Sequence, residues 1–408
     1  MGKINLEALH YYLSYKHVPT PLSMLDGKSR KPSLDVSGIK FSPMVELSED
    51  EIVNRMDDML RAGIRKVLDA NGNVGFLTSG GIDSGVVTAI GAELSGKPIR
   101  TFCLVYADDL GSEGKRTDRE YAKMVSEIYK TKHHELQLSI DEFPKELPAI
   151  IKYFGEPFSG YVSEYFVAKM VKPYVDTVLT GDWADELFGS YRTHRLATQY
   201  PEANTWDLRY SHVVFDDEEK QWLYNAWICG LTNRYSTLKH LENYSKNLSA
   251  TDSFNRMLES EFRSLFVDQT YLSIDVLSKA QGLRVIGGYA FPNFVDFVTK
   301  ISKDWKMKDG ETKYILKKLA LRYLPKEIVY RSKEGFITPT LQLVLGLEGY
   351  VRDALIIDNL LKHNLFNIDY ILELIDEFYK KPTDGQSYKI WNLVCFQVWY
   401  NLYIGDPE

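Results

Sequence analysis

Residues 74–84 read Val-Gly-Phe-Leu-Thr-Ser-Gly-Gly-Ile-Asp-Ser, and a helical pattern continues over residues 85–94. The apolar run Val74–Leu77 is typical of a short buried strand. The two glycines after it remove side chains where the chain turns, so backbone N–H groups and the positive end of the helix dipole can face one point. This strand, loop and helix predict an anion-binding turn at the end of a strand.

The loop also carries polar side chains suited to a nucleotide phosphate. The hydroxyl groups of Ser79 and Ser84 add donors to those of the backbone. A phosphate would repel the carboxylate of Asp83 unless a cation lay between them, so Asp83 implies Mg²⁺. No lysine follows the glycines, and the loop is therefore not a Walker A motif. A glycine turn capped by serine, with no ligand, is the alternative.

The composition predicts a large globular protein that handles small molecules. A chain of 408 residues, 44% of them hydrophobic, exceeds the usual size of one core, about 250 residues. A net charge of −7 disfavours nucleic acid as a partner, because nonspecific binding to phosphates needs clustered lysine and arginine. Three scattered cysteines form no C-x-x-C pair, which fits a reducing cytoplasm. The sequence contains no run of about 18 apolar residues, so no membrane span is predicted.

Short apolar runs alternate with helical patterns in the first half of the chain. After a helix over residues 49–68, further strands are predicted at residues 99–105, 136–138 and 177–180. This alternation predicts an α/β fold with a doubly wound, mostly parallel sheet that binds ligands at the carboxyl ends of its strands. Longer helical patterns dominate after about residue 200.

The chain is accordingly divided into an N-terminal helix and extended arm (1–47), an α/β domain (48–200) and a mostly helical region (201–408). The basic cluster Lys313, Lys317 and Lys318 in the last region is interpreted as a solvated helix face.

Residues 180–191 read Thr-Gly-Asp-Trp-Ala-Asp-Glu-Leu-Phe-Gly-Ser-Tyr, in which Asp182 and Asp185 stand three apart where a strand gives way to a helix. Acids that merely complement a helix dipole are the alternative. The segment resembles the signature S-G-(E/D)-G-(A/G)-D-E-L-F-G-G-Y of asparagine synthetases and β-lactam synthetases. The loop at residues 79–84 resembles the pyrophosphate loop of the ATP pyrophosphatase superfamily.

Two further segments resemble the asparagine synthetase family, and the resemblance covers about residues 6–340. Residues 118–122 and 133–136, D-R-E-Y-A and H-H-E-L, are similar to its D-E-x-x-x-A…H-H-E-L element. His133 and His134 lack further ligands at metal-binding spacing and are expected to be structural. Residues 324–328 and 331–336, L-P-K-E-I and R-S-K-E-G-F, are similar to its L-P-x-x-I…R-x-K-x-x-F element.

The resemblance implies an adenine nucleotide alpha hydrolase-like sheet, ATP as substrate and Mg²⁺ as cofactor. It implies a transition-state role for Lys333 and a role for Asp182 as base or orienting group, although a lone lysine is ordinarily a surface charge. It assigns pyrophosphate to Ser79, Gly80, Gly81, Ile82, Asp83 and Ser84, adenosine to Leu77, Leu104 and Gly181, and Mg²⁺ to Asp83 and Asp185.

Three departures from the family pattern concern the other substrates. Residue 2 is glycine and few residues precede the synthetase region, so the N-terminal glutaminase domain of glutamine-dependent members is expected to be absent. Trp183 replaces a signature glycine, and its indole is expected beside the α-phosphate or the acceptor carboxylate. The R-x-P-F-L-D element survives only as residues 284–289, R-V-I-G-G-Y, without its aspartate.

These observations predict a cytoplasmic ligase that activates a carboxylate as an acyl-adenylate and then forms an amide. Aspartate with ammonia is the first choice of substrates; another amine, or ammonia from a separate glutaminase subunit, stays open, as does a homo-oligomeric state. A tRNA-modifying enzyme sharing the loop is one alternative, which the acidic charge disfavours. A nucleotide-binding scaffold without turnover is the other, suggested by Trp183 and the missing aspartate.

Overall fold

The computed structural model describes residues 4–43, 46–107, 113–331 and 338–405, with only the backbone described for residues 113–117. A five-stranded sheet lies at its centre. Its strands are β1 (Val74–Leu77), β2 (Arg100–Tyr106), β3 (Lys132–Leu138), β4 (Thr177–Thr180) and β5 (Arg284–Gly287). They are ordered β3-β2-β1-β4-β5, and every neighbouring pair is parallel. The chain order reverses between β1 and β4, which makes their carboxyl ends the expected place for a ligand.

Helices surround this sheet and form most of the second half. The first eight are α1 (Leu6–Tyr15), α2 (Glu49–Ala70), α3 (Ile82–Ser95), α4 (Glu113–Tyr129), α5 (Glu142–Phe154), α6 (Ser163–Val171), α7 (Ala184–Phe188) and α8 (Arg192–Gln199). Next come α9 (Thr205–Tyr210), α10 (Glu219–Leu223), α11 (Ala226–Thr232), α12 (Thr237–Ser245), α13 (Ser253–Glu261), the π-helix Phe262–Tyr271 and α14 (Leu272–Ala280). The remainder are α15 (Pro292–Thr299), α16 (Lys303–Lys306), the hairpin strands β6 (Met307–Lys308) and β7 (Glu311–Thr312), α17 (Tyr314–Ala320), α18 (Lys326–Val329), α19 (Thr340–Gly346), α20 (Glu348–Ala354), α21 (Ile357–His363), α22 (Ile368–Lys380) and α23 (Asp384–Tyr403).

Both faces of the sheet are covered, as a doubly wound fold requires. Phe76 and Leu179 pack with α2 and α3 on one face. Phe102 and Val178 pack with α6 on the other. Because adjacent strand residues point to opposite faces, Val178 and Leu179 enter different cores. The predicted α/β class with a mostly parallel sheet is therefore confirmed.

The helix α2 shows how local sequence sets these boundaries. Ser48 and Glu51 form a capping box, in which the Ser48 N–H donates to the Glu51 carboxylate at 2.9 Å. Ile52, Met56 and Leu60 recur at helical spacing and are fully buried. The predicted helix over residues 49–68 is confirmed and continues to Ala70.

The second half is helical, as predicted, but it also contributes β5, which no sequence pattern indicated. This strand has four residues, lies at the sheet edge and contains no fully buried side chain, so it lacks the apolar signal of a central strand. The first helix, α1, packs against α11, α12 and α23 of the second half. None of the described helices is long and apolar enough to cross a membrane.

Candidate active site

The loop between β1 and α3 presents backbone N–H groups at the carboxyl end of the sheet. Gly80 has a φ of +71°, and a Cβ there would lie 2.5 Å from the backbone nitrogen of Ala122 in α4. Only glycine fits this position without displacing α4. Gly81 is the N-cap residue of α3 and has no side chain to bond the first N–H groups of that helix. These donors and the helix dipole suit an anionic group.

Side chains from three elements hold the loop in place. The Ser79 N–H donates to Ser84 Oγ at 3.0 Å, and the two serine hydroxyls lie 3.1 Å apart. Arg331 donates from Nε to the Gly80 carbonyl at 2.9 Å and from Nη2 to Asp118 Oδ1 at 2.6 Å. The remaining nitrogen of Arg331, Nη1, is buried and has no partner among the described residues. It is therefore a donor available to a bound oxyanion.

Lys313 brings the two predicted metal ligands together. Its ammonium lies 2.7 Å from Asp83 Oδ1 and also contacts Asp185 Oδ1, although it comes from the helical second half. Its side chain is 2% exposed. The interpretation of Lys313 as part of a solvated helix face is thus wrong, because the turn after β7 directs it inward with a φ of +57°.

The other two lysines of that cluster are partly exposed. Lys317 pairs with Glu311 at 2.9 Å, and Lys318 pairs with Glu49 at 3.5 Å. The interpretation as a solvated helix face fits Lys318 better than Lys317, which is less exposed and lines a cavity at the carboxyl end of the sheet. A lysine directly before a helix and one within it have the same local sequence signal, and the tertiary direction of the turn separates them.

The turn from β4 into α7 places Asp182 beside the loop between β1 and α3. The Thr180 hydroxyl donates to Asp182 Oδ2. A Cβ at Gly181 would lie 2.6 Å from the Ser84 nitrogen, so this glycine permits the turn to approach the start of α3. The resemblance assigns Gly181 to an adenosine contact. In the structure the small size of this glycine also lets the β4–α7 turn contact the start of α3.

Trp183 points away from the site, contrary to the sequence expectation. Its indole packs edge-on against Phe262 and Phe266 of the π-helix, with ring centroids 5.4 and 5.1 Å away. It does not line the described cavities at the carboxyl end of the sheet. The backbone of Trp183 adopts a φ of +79°, and this left-handed conformation turns the side chain into the core. A Cβ at Gly287 would lie 2.8 Å from the indole, so β5 accommodates it with a glycine.

Two adjoining cavities open at this edge of the sheet. The smaller, about 130 Å³, is lined by Leu77, Leu104 and Phe102 together with the polar loop residues. The larger, about 640 Å³, is lined by Lys313, Arg331 and the signature segment. Residues that line both are Glu164, Gly181, Asp182 and Asp185. The smaller cavity, with its apolar wall, suits a base or ring. The larger cavity, with its charged lining, suits phosphate and acceptor groups.

Buried acids give the larger cavity unusual electrostatics. Burial, with a smaller contribution from Asp182, raises the pKa of Glu164 to about 8. Burial and the charge of Asp185 raise the pKa of Glu186 to about 8, although the Tyr191 hydroxyl donates to this carboxyl at 2.5 Å. Such shifts are common at functional sites because charge is concentrated in a region of low dielectric.

The two histidines that were expected to be structural contact residues of the neighbouring strand β2. His133 bonds through Nδ1 with the Thr101 hydroxyl at 3.0 Å, and the His134 ring stacks on Phe102 at 5.2 Å. Lys333 lies outside the described residues.

No group of three or more His, Cys, Asp or Glu side chains is placed to hold a metal within the described ranges. Two carboxylates reaching one cation nevertheless fit Mg²⁺, which proteins often hold with one or two carboxylates and substrate phosphates.

Comparisons with known proteins match nearly the whole chain in some cases and part of it in others. The family model described as asparagine synthase matches residues 55–401. Asparagine synthetase [glutamine-hydrolyzing] 1 of Bacillus subtilis (strain 168) is 26% identical over 98% of this chain, which spans 70% of that relative's length. Putative asparagine synthetase [glutamine-hydrolyzing] 2 of Methanocaldococcus jannaschii is 27% identical over 47% of this chain and 39% of its own length.

A solved structure, that of NMN synthetase from Francisella tularensis, is 16% identical with a TM-score of 0.26. It covers 36% of this chain and 60% of its own, an overlap too small to describe the fold.

Proposed function

We propose that this chain, which belongs to the asparagine synthase family, is an ATP-dependent ligase that activates a carboxylate as an acyl-adenylate and converts it to an amide. The observation that carries the proposal is the meeting of Asp83, Asp185 and Lys313 beside an N–H-rich loop, where two cavities join. A site that splits ATP at the α-phosphorus needs an adenosine pocket, a pyrophosphate loop and a charged acceptor space side by side.

ATP binds with its adenosine in the smaller cavity, against Leu77 and Leu104. Its pyrophosphate portion binds Ser79, Gly80, Gly81, Ile82 and Ser84, and Arg331 Nη1 is an additional donor. Asp83 and Asp185 hold Mg²⁺, whose chemistry is to neutralise phosphate charge and orient the phosphoryl groups. Lys313 supplies a fixed positive charge at the same place, which favours the transition state as charge moves onto the pyrophosphate.

In the first step a carboxylate oxygen attacks the α-phosphorus, and the bond to the pyrophosphate oxygen breaks. In the second step an amine attacks the acyl carbon, AMP leaves with the electrons of the C–O bond, and the amine loses a proton. Asp182 lies at the junction of the cavities, where it can orient these groups. Lys333 stabilises the first transition state in the role that the family resemblance implies. Aspartate and ammonia are the first substrates to test.

The test is ATP–pyrophosphate exchange over a panel of carboxylic acids that begins with aspartate. Exchange that requires both an acid and Mg²⁺ supports adenylation, and AMP formed on addition of ammonia supports amidation. Glutamine in place of ammonia tests the nitrogen source. Binding of ATP without exchange for any acid would contradict the proposal and favour the scaffold. Trp183 no longer favours that alternative, since its indole lies in the core.

A further inference from the structure

Glu164 occupies the wall between the two cavities. It is the second residue of α6 and lines both the smaller cavity and the larger, charged cavity. An acid in the first turn of a helix is ordinary, because it complements the helix dipole. Such acids normally lie in solvent, whereas Glu164 is partly buried and lines both cavities, as Asp182 does.

The charge balance around Glu164 differs from that of its neighbours. Asp83 and Asp185 share the Lys313 ammonium, and Asp118 pairs with Arg331 at 2.6 Å. No hydrogen bond or ion pair joins the Glu164 carboxyl to any of the residues that the structure describes. Burial and, to a smaller extent, the carboxylate of Asp182 raise the pKa of Glu164. Burial makes the ionised form of such a carboxyl costly, so a cationic ligand beside it would favour ionisation.

We propose that Glu164, beside Asp182, forms a subsite for a substrate ammonium group; this inference rests on the proposed function. The group has two sources in an amide-forming reaction. One is the α-ammonium of an amino acid whose side-chain carboxylate is activated, and the other is the incoming amine in its protonated form. Either would place a cation beside Glu164, on the wall that the two cavities share.

If the incoming amine is the occupant, the carboxylates hold it beside the acyl carbon. The ammonium gives one proton to the Glu164 carboxylate, and the freed lone pair forms the C–N bond. The C–O bond to AMP breaks with its electrons on the phosphate oxygen, and a second N–H proton is released. The reaction requires no oxidant or further reactant.

The test compares Glu164→Gln with wild type, because glutamine keeps the shape and removes the charge. Aspartate and succinate serve as acids in ATP–pyrophosphate exchange, since succinate lacks the α-ammonium. Ammonia is the amine for AMP formation. Glu146→Gln is the matched control: Glu146, in α5, accepts hydrogen bonds from Tyr165 and Lys169 of α6 at 2.9 and 2.6 Å and lines neither cavity.

An α-ammonium subsite predicts that E164Q raises the KM for aspartate at least about tenfold, as expected for a lost charged hydrogen bond, and changes the KM for succinate far less. An amine subsite predicts that E164Q raises the KM for ammonia in AMP formation and leaves the exchange KM values near those of wild type. Unchanged KM values for aspartate and ammonia would overturn the subsite.

A second measurement separates the subsite from the proposed function. The melting temperatures of wild type and E164Q are measured with ATP, Mg²⁺ and either aspartate or ammonium chloride, which reports binding without turnover. Stabilisation of wild type by either ligand that is lost in E164Q supports the subsite even if wild type shows no exchange. Equal stabilisation of both proteins, or of neither, contradicts the subsite, whereas absent exchange alone contradicts the proposed function.

Discussion

Lys313 neutralises two carboxylates that would otherwise repel each other in a buried place. Its ammonium contacts Asp83 and Asp185, and the side chain is almost fully buried. Asp83 comes from the first turn of α3 and Asp185 from α7, so one lysine links the phosphate loop with the signature segment. A cation bound by the same two acids adds its positive charge to that of Lys313 and shares the two carboxylates with it.

We predict that Lys313→Met destabilises the protein by about 3 kcal/mol, because removing one partner of a buried ion pair leaves uncompensated charge. Added Mg²⁺ should stabilise K313M more than wild type, since the two acids then have no other cation. Guanidinium unfolding with and without MgCl₂ measures both effects. Lys318→Met is the control, because Lys318 pairs with Glu49 at a partly exposed site. A K313M protein as stable as wild type would show that the contact is electrostatically unimportant.

Trp183 combines backbone strain with favourable burial. A non-glycine residue at a φ of +79° is strained by about 1–2 kcal/mol. The indole is 7% exposed and contacts Phe262 and Phe266, so its apolar contacts offset that strain. The residue therefore stabilises the wall behind the site rather than contacting a ligand.

Two substitutions of Trp183 separate strain from burial. Trp183→Ala should cost about 3–5 kcal/mol through the cavity it creates. Trp183→Gly creates a similar cavity but relieves the left-handed strain, so we expect it to cost about 0.5–1 kcal/mol less than W183A. Urea unfolding of both variants gives the difference. If W183G proved the less stable of the two, the strain assigned to this position would be refuted.

At the scale of elements, the β1–α3 loop depends on the close passage of α4. Gly80 and Gly96 both have left-handed backbones, with φ of +71° and +64°. Their surroundings differ, because a Cβ at Gly80 would meet α4 at 2.5 Å, whereas nothing lies within 4 Å of a Cβ at Gly96. The two glycines thus allow the contact and the backbone effect to be measured separately.

We predict that Gly80→Ala costs more than Gly96→Ala by about 2 kcal/mol or more, since G96A adds only the backbone strain of about 1–2 kcal/mol. G80A should also weaken ATP binding at least about tenfold, because the N–H groups of the loop must move. Chemical denaturation and ATP titration are the measurements, and equal effects of the two substitutions on both would contradict the steric account.

At the scale of the whole molecule, both halves of the chain build one site and one buried interior. The second half supplies β5 to the sheet, Lys313 to the acids and Arg331 to the loop. Lys306 is a further link: it is fully buried, bonds to Asn255 at 3.1 Å and lies over the Phe41 ring. The proposed division at residues 47 and 200 remains a prediction about sequence organisation.

Burial lowers the pKa of Lys306 to about 7, so stability should depend on pH. Between that value and the ordinary lysine pKa the unfolded chain binds more protons, and the stability of wild type therefore rises with pH through this range. Lys306→Met removes this titration, so the stability of K306M relative to wild type should fall by up to about 1.4 kcal/mol per pH unit between about pH 7 and pH 10. Denaturation of both proteins across this range is the measurement, with the exposed Lys303→Met as control.

Local patterns predicted those features that depend on neighbouring residues. The strand Val74–Leu77, the capped helix α2, the glycine loop and the helix after Asp182 follow from periodicity, capping and turn chemistry within a few residues. The strand β5 was missed because an edge strand needs no buried run. Glu164, Lys313 and Arg331 were missed as site residues because an acid or base in a helical region has the same local signal whether it faces solvent or a cavity. Arg331 stands two residues before Lys333, and this closeness was the one sequence signal that could have identified it as a site residue.

The sequence by itself determined the family, the α/β class, the glycine loop with Asp83 and the segment with Asp185, because these are written in contiguous motifs. Only the tertiary structure decided that Lys313 joins those acids, that Arg331 holds the loop and that Trp183 turns into the core. These contacts connect residues more than a hundred positions apart or depend on the sign of one backbone angle. Such contacts form when whole elements pack together and bury their side chains. The spacing of residues within one segment does not determine them.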